Sequence, residues 1–157
     1  MERPVGILYE HPLWFGPLFT ELERRGIPYE AVHAASHSFD PSEPESPYSL
    51  LVNRMSPSAW TRGHARALFQ VREYLAYLDA IGAPVLNGSR AYEFELSKAR
   101  QAALAAQLGV RYPRTRVIND PEQAPLPPRF GLTSTGNRIP SAAAGACAGS
   151  FITRVRG

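Results

Sequence analysis

The stretch Ala83–Thr115, APVLNGSRAYEFELSKARQAALAAQLGVRYPRT, reads as a short buried strand, a turn at Asn87-Gly88, a helix, and a longer helix closed by Gly109. Leu96–Leu108 is rich in alanine and holds no β-branched residue, so its helix propensity is high. Working outward, one device repeats. Helical patterns end in glycine and meet a proline within a few residues, at Gly26-Ile27-Pro28, Gly82-Ala83-Pro84 and Gly109-Val110-Arg111-Tyr112-Pro113. Glycine accepts the left-handed conformation that closes a helix, and proline keeps the helix from resuming. In the first two cases a strand follows at once. Strand, helix, glycine, proline, strand is the rhythm of parallel α/β units. The reading is therefore an α/β fold, with residues 4–86 forming a small open parallel sheet that carries helices on both faces.

Upstream, Pro4–Tyr9, Ile27–His33 and Tyr48–Arg54 read as strands, and Ala83–Leu86 as a fourth. Glu10–Phe15 reads as a loop heavy in large side chains, with Gly16-Pro17 opening a helix that ends at Gly26. Ala34–Pro47, with three prolines and four serines, reads as a long surface loop. Ser56–Ala59 reads as a turn, and a long helix follows from about Thr61 to Ile81, with Leu68, Val71, Leu75 and Leu78 on one stripe. Tyr112–Ile118 can start a new strand, and Asn119–Glu122 a turn or helix. The expected organisation is an α/β domain over 1–88, the helical start of a second domain over 89–122, and an irregular, poorly ordered tail over 123–157.

Composition narrows the function classes. The net charge of +3 misleads when averaged, because Glu122 is the last acid and Arg129, Arg138, Arg154 and Arg156 follow it. The first 122 residues carry 13 basic against 14 acidic side chains. No element bears a basic stripe, which argues against nucleic acid as a partner. No run of about 18 apolar residues occurs, so no membrane span is expected. Met1-Glu2-Arg3-Pro4 lacks the features of a secretory signal, and the one cysteine, Cys147, cannot form an internal disulfide. A reducing, cytoplasmic setting fits this best. His11, His33, His37 and His64 share no ligand spacing, so no metal-ligating residue is nominated. No P-loop, G-x-G-x-x-G or G-x-S-x-G string is present, and no catalytic residue is nominated.

Three positions carry candidate chemistry. Lys98 is the only lysine in the chain and stands near the start of the longer helix. A helix lysine is ordinarily solvated; the functional reading is a phosphate contact, for which a compact ammonium is suited. Asn53 and Arg54 end the third strand, and ligand sites of open parallel sheets lie beyond the carboxyl ends of their strands. Arg54 could hold a substrate carboxylate in a bidentate pair, or it could pack on Trp60 or pair with a surface acid. Glu10 and His11 follow the first strand at the same expected edge.

Several local strings, in their order, resemble the front end of ATP-grasp ligases of the glutathione-synthetase and ribosomal-protein-S6-modification type. They are Leu51-Val52-Asn53-Arg54-Met55-Ser56, Pro84-Val85-Leu86-Asn87-Gly88, and Ser97-Lys98 leading through Leu108-Gly109 to Pro113-Arg114-Thr115. The match covers about residues 4–118. It implies a pre-ATP-grasp, Rossmann-like domain followed by the start of the ATP-grasp domain. By the same resemblance, Lys98 corresponds to the lysine that reaches ATP phosphate, and Asn53 and Arg54 to preamble residues near the substrate cleft. Ser97 stands where an aspartate is more usual. The family's next strand carries a Lys-Pro pair and a Gly-rich loop; here the chain has Arg129-Phe130-Gly131-Leu132-Thr133.

The resemblance implies ATP and magnesium as cofactors of the complete protein, with the magnesium ligands absent from this chain. It implies a small-molecule or peptide carboxylate as substrate and an acyl-phosphate route to a carbon–nitrogen bond, while homo-oligomerisation stays open. The loss of acids and of periodicity after about Pro128 leads to the expectation of a truncated or frame-shifted version, inactive as an isolated chain. The alternatives are a non-catalytic α/β module binding a small anion at the carboxyl edge of the strands near Glu10, Asn53 and Arg54, or an interaction module presenting Leu13-Trp14-Phe15.

Overall fold

The computed structural model describes residues 3–123 and the backbone of 151–155. Two compact units are present, Met1–Leu96 and Ser97–Gly157. Ala124–Pro128, Arg129–Thr133 and Cys147, on which parts of the sequence reading rest, lie outside the described residues.

The first unit is an all-parallel, four-stranded sheet. Its strands are β1 (Val5–Tyr9), β2 (Tyr29–His33), β3 (Leu50–Asn53) and β4 (Val85–Leu86), in the order β2-β1-β3-β4. Strand β1 is central. Leu8 is level with Val32 and with Asn53, and Tyr9 with His33. The α/β class expected from the glycine–proline rhythm is what the chain adopts. Alternation along β1 divides the packing between the faces. Leu8 joins Val32, Leu51, Val71, Tyr74, Leu75 and Leu78 in the main core, under helix α2 (Ala65–Ala80). Tyr9 points the other way, its ring centroid 5.5 Å from that of Phe15 and 5.2 Å from that of Phe19, both on helix α1 (Pro12–Arg24). Helices therefore cover both faces, as two-sided burial of a parallel sheet requires. Gly6 in β1 leaves space for the Tyr48 ring: a Cβ there would lie 2.7 Å from Tyr48 Cγ.

Local differences from the sequence reading have physical causes. Helix α1 starts at Pro12, not at Gly16-Pro17. Proline at the first position loses nothing, since that N–H has no intrahelical partner. Pro17 then sits inside the helix, where the carbonyl it leaves unbonded is that of Leu13, at the exposed first turn. The helix expected from Thr61 is split: Pro57–Arg62 is a 3₁₀ turn, Gly63 takes φ +84°, and α2 starts only at Ala65. The β2–β3 crossover contains no helix. Its Phe39 ring instead packs on Tyr74 and Tyr77 of α2, at 4.9 and 5.1 Å between centroids. Helix α3 (Ser89–Leu96) packs on α2 and completes the unit.

In the second unit, α4 (Lys98–Gln107) starts two residues later than Leu96 because Ser97 caps it, its Oγ accepting from Arg100 N–H at 3.2 Å. Strand β5 (Arg114–Ile118) pairs antiparallel with β6 (Phe151–Val155). β6 falls in the stretch read from the sequence as irregular; its Phe-Ile-Thr-Arg-Val composition suits a strand once β5 offers an edge. Among the described residues no helix is long and apolar enough to cross a membrane.

Candidate functional site at the strand ends

Chain direction makes β1 and β3 the neighbours between which the sheet order reverses: β2 lies to one side of them and β4 to the other. In parallel sheets the crevice at such a point, outside the carboxyl ends of the strands, is where ligands lie. Glu10 follows β1 there and Arg54 follows β3. A cleft of about 430 Å³ opens at this edge, lined among others by Trp14, Arg54, Ser56, Asn87, Tyr92 and Glu95.

The β3 end shows a division of labour. Asn53 is buried and both ends of its amide are engaged: Nδ2–H donates to the Asn87 carbonyl at 3.0 Å, and Oδ1 accepts from Met55 N–H at 3.0 Å. Asn87 returns a bond from its Nδ2–H to the Asn53 carbonyl at 3.2 Å. Asn87 holds φ +58°, a left-handed conformation that asparagine tolerates. These bonds make Asn53 part of the cleft floor and tie it to the turn after β4. Arg54 differs. Its N–H is tied to the Leu8 carbonyl at 2.8 Å, which fixes its backbone to the central strand. Its side chain is exposed, and among the described residues it has no ion-pair or hydrogen-bond partner. Pairing with an acid, one of the alternatives the sequence left open, is not found among the described residues. Tyr92 in the same wall is buried and donates its O–H to the Leu68 carbonyl at 3.1 Å. Burial first, and the Glu95 charge second, push its phenol well above the usual range.

The β1 end is the reverse. The Glu10 side chain is 3% exposed, yet its carboxylate is matched on both oxygens. Arg62 approaches with a fork, Nε–H lying 2.8 Å from Oε2 and 3.0 Å from Oε1, and Nη2–H donating to Oε2 as well. His64 donates Nδ1–H to Oε1 at 2.5 Å. His33 Nε2–H reaches the Glu10 backbone carbonyl at 3.0 Å. The Arg62 bonds hold the Glu10 carboxyl below the usual carboxylate value; burial opposes them and His64 adds to them. The Arg62 guanidinium carbon also lies 5.3 Å from the centroid of the Trp14 ring. That ring stacks on His11 at 4.3 Å and 11°. His11 Nδ1 is buried without a hydrogen-bond partner.

The sequence reading nominated Asn53, Arg54, Glu10 and His11 at this edge, and all four stand there. It gave no role to Arg62, His64 or Asn87. Arg62 and His64 follow no periodicity and come to Glu10 across more than 50 positions of chain. The Asn87-Gly88 pair was the one available signal, as a turn. Lys98 lies in the other unit, at the first position of α4. It is exposed, its Nζ donating to Gln101 Oε1 at 2.9 Å. Among the described residues no group of three histidine, cysteine or acidic side chains can hold a metal ion.

No protein-family model matches the chain, and no curated protein matches its sequence. Solved structures do match its fold. One is a RimK-domain ATP-grasp protein from Sphaerobacter thermophilus, with a TM-score of 0.52 at 17% identity over 74% of this chain and 41% of that one. Another is the ATP-grasp ligase PsnB complexed with a minimal precursor, with a TM-score of 0.51 at 21% identity over 78% of this chain and 48% of that one. PsnB complexed with minimal precursor, Mg and ADP matches likewise, with a TM-score of 0.51 at 18% identity, again over 78% of this chain and 48% of that one. The chain thus shares its fold with part of these ATP-grasp proteins and spans less than half of their length.

Proposed function

We propose that this chain is the preamble and first ATP-grasp segment of an ATP-dependent carboxylate–amine ligase of the glutathione-synthetase and S6-modification type. The supporting observation is the unpaired Arg54 guanidinium at the strand-order reversal, in a fold shared with ATP-grasp ligases. An exposed guanidinium without an internal partner, on a backbone tied to the central strand, suits a carboxylate, which it can grip with two parallel N–H bonds. Trp14 and the Asn53–Asn87 floor would bound the apolar part of the same ligand. The cleft then binds the carboxylate substrate, a small molecule or a peptide.

ATP, when bound, supplies the phosphoryl group that activates a carboxylate toward an amine. In this chain Lys98 is the residue that would meet a phosphate. Its position at the amino end of α4 adds the favourable field of the helix terminus. Magnesium finds no ligand set among the described residues, so no step is assigned to it. On this reading residues 1–157 by themselves bind carboxylate but do not turn over, and a cytoplasmic setting goes with it.

Two titrations test the proposal. Benzoate, added to isotope-labelled protein and followed by NMR, should shift the Arg54 Nε–H and Trp14 indole signals, and Arg54→Ala should abolish the response. ATP with magnesium, followed by calorimetry, should bind the wild type and not Lys98→Ala. Benzoate shifts that persist in Arg54→Ala would remove the carboxylate assignment, and ATP binding unaffected by Lys98→Ala would remove the phosphate assignment.

A further inference from the structure

We infer that Glu10 is a positioning residue for the cleft: its buried carboxylate latches Arg62 and His64 of the 56–64 segment, and through Arg62 fixes Trp14 as a cleft wall. The inference rests on the carboxylate-binding reading of the cleft, but its geometry stands apart from it.

Three elements meet at Glu10. Arg62 and His64 come from the segment between β3 and α2, His33 from the end of β2, and Glu10 itself from the end of β1. The segment from Ser56 to His64 would otherwise be a loop with few anchors at the sheet edge. It contains Gly63 at φ +84°, and Ala59 is its one fully buried side chain. The bonds from Arg62 and His64 to the carboxylate add the lateral hold. Ser58 Oγ accepts from Arg62 Nη1 at 3.2 Å and Nη2 at 3.3 Å, so the fork is braced on the side away from the carboxylate.

The consequence reaches the cleft. Trp14 is 62% exposed on the first turn of α1, where an indole can change rotamer at little cost. The Arg62 guanidinium at 5.3 Å and the His11 ring at 4.3 Å give it one defined position. Ser56, at the root of the same segment, lines the cleft with Trp14. A buried ion pair is no more stabilising than apolar groups of the same size. What the pair supplies here is a fixed orientation for Arg62, and through it for two of the cleft's walls. A guanidinium serves both contacts at once: its edge meets the carboxylate while its delocalised charge lies over the indole.

The test compares wild type with Glu10→Gln by NMR, with the two indole N–H signals assigned through Trp60→Phe. Glu10→Gln should move the Trp14 signal toward that of free tryptophan and raise amide exchange over residues 58–64. It should weaken benzoate binding about two- to fivefold, the factor equivalent to one exposed cation–π contact. If Glu10→Gln does not fold, Arg62→Lys keeps the charge pair and removes the planar fork, and the Trp14 signal should move in the same direction. An unchanged Trp14 signal and unchanged exchange over 58–64 in a folded variant would overturn the latch. Absence of benzoate binding in the wild type would remove the carboxylate reading and leave the Trp14 signal to decide the latch alone.

Discussion

At the carboxyl end of β1 a buried carboxylate is matched on both oxygens by Arg62 and His64 from elsewhere in the chain; at the end of β3, one strand over, a guanidinium faces solvent without a partner. The two ends belong to one sheet edge and carry similar residue types. The difference lies in burial. A charge taken out of water must find its counter-charge inside the protein, so Glu10 is tied to structure. A charge left at the surface is free to meet a ligand, and Arg54 is such a charge. Charged residues at a strand end are therefore not equivalent site candidates, and their partners distinguish them.

The contrast can be broken most forcefully at Arg62. Arg62→Met leaves the Glu10 carboxylate buried against His64 alone. Because Arg62 is itself 25% exposed, the loss should fall at the low end for a broken buried pair, about 3 kcal/mol. Chemical denaturation of both proteins measures it, and a loss under about 1 kcal/mol would place Glu10 among ordinary surface pairs.

Asn53→Ala tests whether the β3 end also has a structural half. It strands the buried Met55 N–H and opens the reciprocal bonds to Asn87, at about 2 kcal/mol. It should also weaken benzoate binding by loosening the cleft floor. A neutral Asn53→Ala would reassign that amide to the ligand.

Acid offers a milder version of the first experiment. The unfolded chain takes up a proton on Glu10 near the ordinary value of 4.5, while the folded chain, with Arg62 in place, resists to lower pH. Stability from this group is therefore whole above about pH 4.5 and falls as the pH drops through the lowered folded value. Melting temperatures of wild type should fall below that pH more steeply than those of Glu10→Gln. Parallel curves would mean that Glu10 is not the titrating group.

The smallest effect on stability belongs to Arg54→Ala, within about 0.5 kcal/mol, as expected for an exposed side chain without partners. The same variant should lose benzoate binding altogether. A stability loss as large as that of Asn53→Ala would show that Arg54 is structural after all and would erase the difference between the two ends.

Much of this was open to reading in the chain. The Gly26-Ile27-Pro28 and Gly82-Ala83-Pro84 punctuation announced helix ends followed by strands, and the glycines take φ +62° and +67°. The four strands follow from short apolar runs bounded by turn residues. Arg54 was legible because it directly follows a strand, and the ends of parallel strands are where ligands sit. What was illegible is instructive. The start of α1 was hidden by Pro17, since a proline inside a helix looks in sequence like a proline opening one. The interruption at Gly63 was hidden by the good helix formers on either side. The occupied state of Asn53 was hidden because its partner, Asn87, lies 34 positions away.

Local chemistry, then, determined the elements and their order: propensity, capping and helix termination act over a few residues, and the sequence states them directly. It also determined that Glu10 and Arg54 would share an edge, because parallel strands put all their carboxyl ends on one side. Only the tertiary structure decided which of the two is a structural charge and which an open one. That choice depends on whether Arg62, 52 positions from Glu10, folds back within hydrogen-bonding distance. Packing of α1 and of the 56–64 segment sets that distance, and no local pattern encodes it.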